Sequence, residues 1–191
     1  MQLLRVTATA AALTLVLATA ACGDDMAAPM DGPVGMDGMD GMDGMDGMMM
    51  MNDPDATPAD EADGKVTSGD FGVLATAPPG SETTAGRAWL AQDADGTTVT
   101  IRLTGLKANT EYLSHLHDQV CSADGGGAHF KFDPDGSDLP PNEIHLAFTS
   151  DADGSGEATI TSDQEVGQRA PSIVVHPAGA MDNRLACADF S

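Results

Sequence analysis

Positive charge is scarce in this chain. Eight Lys and Arg stand against 30 Asp and Glu, for a formal net charge of −22 over 191 residues. A surface of that sign repels phosphate backbones and anionic headgroups, which excludes nucleic-acid binding as a principal role and favours cations. Aromatics are also few, at 4% of residues with one Trp and one Tyr, so any core must be largely aliphatic. Cysteine is limited to Cys22, Cys121 and Cys187, which allows one intrachain bridge at most and leaves one cysteine over. The one long uncharged apolar stretch, Val6–Ala21, has 16 residues, short of the ~20 that a membrane-spanning helix needs.

That stretch follows Arg5 and leads through small residues to Cys22, the layout of an export signal over residues 1–22. Two processing routes fit. Signal peptidase I can cut after Ala20, using the small residues Ala18 and Ala20. Alternatively, Thr19-Ala20-Ala21-Cys22 is a lipobox-like end, and Cys22 carries a lipid. Both routes export the chain, and the second holds it at a membrane facing the periplasm or the cell exterior. Residues 23–64 contain 12 acids, no Lys or Arg, and no aromatic residue. Such a segment buries too little apolar surface to offset its ordering entropy and is expected to be a disordered tether. It contains Met-Asp-Gly four times over residues 36–47, then Met48–Met51. The repeat reads either as a plain spacer or as a set of soft thioethers that gather Cu(I).

From Lys65 the composition changes, and residues 65–191 read as one domain with a net charge of −11. Eight short apolar or alternating runs are expected as strands: Phe71–Thr76, Arg87–Ala91, Thr98–Leu106, Glu111–His117, Glu143–Thr149, Glu157–Thr161, Ser172–His176 and Arg184–Phe190. Asp-Ala-Asp-Gly at 93–96 and again at 151–154 reads as a hairpin turn. No helical period is present in this region. The expectation is an all-β, eight-stranded antiparallel Greek-key sandwich or barrel.

All five histidines fall within residues 115–176. The two-residue period of a strand puts His115 and His117 on one face, with Leu116 on the other. His129 follows a Gly-rich stretch, and His145 and His176 sit in separate expected strands. Imidazoles converging from a β-scaffold suit a borderline divalent ion such as copper or zinc.

His115-Leu-His117, Cys121, Gly127-Ala-His129-Phe, Asp138-Leu-Pro, Val174-Val175-His176 and Arg184-Leu-Ala-Cys187 occur in the order found in Cu/Zn superoxide dismutases. Residues 71–191 resemble that family, in a bacterial exported lipoprotein form. The resemblance implies that His115, His117, His129 and His176 hold copper and that Cys121 and Cys187 are bonded. It also implies that Arg184 draws the superoxide anion inward, and that His129 both binds copper and carries a proton. Cys22 is then the cysteine left over for lipid.

The departures concern zinc. Asp138 stands at the residual zinc position, but residues 130–144 contain no histidine, and Asp135 occupies the place of the last zinc histidine. His145 comes too late in the chain to fill either place and reads as a strand residue. Asp135 is either a solvated turn acid or a carboxylate that fixes the outer nitrogen of His129. The pattern is closer to the copper-only branch, with Cu expected and Zn not. The function this implies is superoxide dismutation in the cell envelope. The alternative is a copper-binding or copper-buffering lipoprotein on the same fold without turnover.

Overall fold

A computed structural model describes residues 51–191. The export signal, Cys22 and the Met-Asp-Gly repeat lie outside the described residues. Among the described residues the protein is all-β, with two antiparallel sheets packed as a sandwich and not closed into a barrel. The four-stranded sheet has the order β1 (Lys65–Asp70), β3 (Ala85–Asp93), β4 (Gly96–Thr104), β7 (Gly156–Ser162). The five-stranded sheet runs β2 (Gly72–Val73), β9 (Ala186–Asp189), β8 (Ser172–Pro177), β5 (Glu111–His117), β6 (His145–Thr149). The connections β4 to β5, β6 to β7 and β7 to β8 cross between the sheets, as Greek-key chains do.

Alternation builds the core. Val99, Ile101 and Leu103 of β4 turn inward with Ala88 and Leu90 of β3, and meet Tyr112 and Leu116 of β5 with Ile173 and Val175 of β8. The Asp93–Gly96 turn closes the β3–β4 hairpin, as its sequence requires. The second Asp-Ala-Asp-Gly differs. It joins β6 in one sheet to β7 in the other and is a corner between sheets.

Three further expectations are corrected. The first strand, β1, was absent from the apolar pattern because its sequence, Lys-Val-Thr-Ser-Gly-Asp, is polar and its Val66 is exposed. Its position comes from backbone pairing with β3, Lys65 opposite Gln92 through Asp70 opposite Arg87. The expected strand Phe71–Thr76 shrinks to Gly72–Val73. The tether boundary also moves. Residues 51–63, assigned by composition to the disordered segment, lie along the sandwich. The Met51 carbonyl accepts from the Ala147 N–H at 2.9 Å, and the Asp53 N–H donates to the Thr159 carbonyl at 2.6 Å. Ala59 is fully buried, donates its N–H to Thr100 Oγ1 at 2.9 Å, and is followed by an Asp60–Arg102 ion pair. Hydrogen bonding by the backbone, which composition does not encode, orders this stretch.

Candidate metal centre

Strand register places the imidazoles. His115 lies opposite His145 of β6 and Val174 of β8, while Leu113 lies opposite His176 and His117 lies opposite Ser172. Residues directly opposite in a ladder share a face. His115, His117, His145 and His176 therefore all project from the side of the five-stranded sheet that faces away from the core. Cys187, opposite Val174, shares that side.

The chain between β5 and β6 covers this face. Phe130, buried in the core cluster, returns its N–H to the Leu116 carbonyl at 2.8 Å, and His129 bridges to His117. Close packing is possible because of glycine. At Gly126, with φ of 108°, an added Cβ would sit 2.9 Å from Val174 Cγ2 and 3.3 Å from His117 Cβ. The Cys121–Cys187 disulfide, with Cα atoms 5.7 Å apart, ties the same loop to β9.

The result is a cluster of His115, His117, His129 and His176, each offering a ligand atom, with these atoms within 4.8 Å of one another. Ring centroids are 4.2 Å apart for His115–His129 and 5.0 Å for His117–His129. Hydrogen bonds settle which nitrogen two of the rings offer. His117 Nδ1 donates to the Gly127 carbonyl at 3.2 Å, and His176 Nδ1 donates to the Met181 carbonyl at 2.7 Å. Those bonds leave Nε2 of both rings as bare acceptors. Nε2 of His117, Nε2 of His176 and Nδ1 of His115 are buried without any partner. Three buried, unpartnered ring nitrogens around one locus are costly for a fold to maintain unless a cation satisfies them.

Their electrostatics agree. Burial, reinforced by the neighbouring imidazoles, holds His115 far below the ordinary imidazole range. Burial also lowers His117 to about 3 and His176 to about 4, with the Arg184 charge adding to both. These rings remain neutral near pH 7, as metal binding requires. Arg184 is close by: its Nη2 donates to the same Gly127 carbonyl as His117, at 2.7 Å, and its Nη1 donates to the Asp124 carbonyl. His129 is the least covered ligand, with about a third of its side chain exposed, so the cluster opens to solvent there.

The zinc-side residues do not join the cluster. Asp138 is exposed over 82% of its side chain and ion-paired with Lys131. Asp135 is exposed in a turn, its N–H held by Asp133 Oδ1 at 3.1 Å, and it does not touch His129. The carboxylate at the outer nitrogen of His129 is Glu143, whose Oε2 lies 2.9 Å from His129 Nδ1. The sequence reading missed Glu143, which is only 2% exposed. Its signal was present, since an acid two residues before His145 shares that strand's outer face. His145 Nε2 reaches the same Glu143 oxygen at 2.8 Å, making a second group of three potential ligands, His129, Glu143 and His145. There the two ring N–H groups and the carboxylate already satisfy one another.

An antiparallel β-sandwich bearing a disulfide and histidine groups that could hold a metal ion is thus the class that the fold and site define. No family model and no curated protein matches the chain.

Proposed function

We propose that this protein is a copper-dependent superoxide dismutase, exported and held at a membrane through lipid on Cys22. One observation carries the reading. Three buried, partnerless imidazole nitrogens converge with the solvent-facing His129, beside an arginine that shares a carbonyl with one of the ligand rings. Four imidazoles, three of them held neutral by burial, suit copper. Copper bound there would supply a one-electron couple, oxidising one superoxide to O2 and reducing the next, with two protons, to H2O2.

The chain's own groups do the remainder. Arg184, fixed by two carbonyls, gives a local positive charge in a domain whose net charge of −11 otherwise repels an anion. His129 donates from Nδ1 to Glu143, which leaves Nε2 of this part-exposed ring as the atom that would hold the ion and that, when released from it, could carry a proton to the substrate.

The experiment is superoxide decay on copper-loaded protein, with copper content checked. Arg184→Ala should retain copper and lose on the order of tenfold in rate, about 1.4 kcal/mol of barrier. The remaining rate should depend less on ionic strength. Fully loaded wild type that is no faster than buffer would refute turnover and leave a copper-buffering lipoprotein as the better account.

A further inference from the structure

His145 is outside the set of four ligands, yet it touches two of them by different means. Across the ladder it is the direct partner of His115, and its ring meets that of His115 edge-on, with centroids 4.3 Å apart at 75°. Its Nε2 also lies 2.8 Å from Glu143 Oε2, the oxygen that accepts from His129 Nδ1. Both donors converge on a single carboxylate oxygen. The torsion of Glu143 is therefore fixed by two bonds at once, and the His129 ring inherits that fixed direction. The His145 and Glu143 side chains are 8% and 2% exposed, so water does not readily replace either bond.

We infer that His145 is a positioning residue: it holds His115 by ring contact and His129 through Glu143, and so orients half of the four-histidine cluster. The inference rests on the copper reading only for its second readout. A ring contact and a hydrogen bond are separable by substitution. His145→Phe retains an aromatic edge against His115 and removes the donor to Glu143. His145→Gln retains an N–H for Glu143 and removes the ring. Ligand-orienting partners of this kind change metal affinity by roughly 10- to 100-fold when removed.

The test uses the full chain and two readouts. The first is ring nitrogen NMR on metal-free protein, which reports imidazole tautomers whether or not copper binds. Wild type should show His129 as a single tautomer with its proton on Nδ1. His145→Phe should keep that proton on Nδ1, since Glu143 still accepts it, but broaden the His129 ring signals as Glu143 gains torsional freedom, and His145→Gln should restore the sharp set. The second is competition for Cu(II) against a chelator. His145→Phe should lose about tenfold or more in affinity, and His145→Gln less than half of that on a logarithmic scale. His129 ring signals that stay sharp in His145→Phe overturn the inference, as does a second divalent ion in wild type that both variants lose, because Glu143 and His145 would then be ligands. Wild type that binds copper but does not dismutate would refute only the enzyme reading, and the ring-signal result would stand independently.

Discussion

Acidification is a direct probe of the cluster, because burial holds three of its rings, His115, His117 and His176, neutral in the fold while they are ordinary imidazoles in the unfolded chain. The perturbation is a shift of the metal-free protein from pH 7.5 to 5.5. A histidine whose folded pKa is lowered contributes stability that is present above its unfolded value of 6.5 and is lost as pH falls toward its folded value. His117 at about 3 and His176 at about 4 remain unprotonated in the fold over this window, and His115 lies lower still. At pH 5.5 each unfolded imidazole gains about 1.4 kcal/mol from its proton, so three such rings remove roughly 4 kcal/mol. Against a typical total of about 5–15 kcal/mol this is a large share. It corresponds to a fall in Tm of roughly 10–15 °C for a domain of this size. The carboxylates held low by ion pairs, Asp60 by Arg102 and Asp138 by Lys131, titrate below this window and do not contribute to it. Differential scanning calorimetry at half-unit pH steps gives the answer. A Tm that moves by less than about 3 °C between pH 7.5 and 5.5 would refute the reasoning, because the rings would then be protonating within the fold.

The remaining predictions concern covalent and backbone ties. Replacing both Cys121 and Cys187 by Ser should cost roughly 2–5 kcal/mol in urea unfolding, since the bridge spans 66 residues; a loss below 1 kcal/mol would contradict it. Deleting residues 51–63 should lower stability by about 2–3 kcal/mol through the loss of the bonds at Ala147, Thr159 and Thr100, and the same unfolding assay would show no change if these residues were only a tether.

Much of the architecture was legible because it depends on period. Alternation in Thr98–Leu103 gave the central strand β4, and the two-residue spacing of His115 and His117 gave their common face. Two features were hidden because they depend on backbone pairing without apolar pattern. The strand β1 offers no hydrophobic alternation, and Ala59 is too small to announce its burial. The carboxylate at His129 was hidden for a different reason: of the two readings of Asp135 the turn acid holds, and Glu143 takes the place beside the ring. Asp135 is six residues from His129 and Glu143 is 14, and neither separation says which acid reaches the ring. The loop folds Asp135 outward to a turn, while Ile144, buried in the core, brings its neighbour Glu143 onto the ligand face. Which of two acids reaches a ring depends on loop trajectory, which local spacing does not contain.

The three partnerless nitrogens of His115, His117 and His176 set a trade-off for this fold. Each keeps a ring nitrogen from water and from any partner at a cost of about 1–3 kcal/mol, so the cluster gathers the unpartnered buried side-chain nitrogens found among the described residues. Substitutions that relieve it, such as an aliphatic side chain at position 117, would be welcomed by packing alone. A population of such chains selected only for folding would drift toward a filled, apolar face. Three desolvated, partnerless imidazoles in one place therefore lower the stability of the fold, and a bound ion is what would offset that loss.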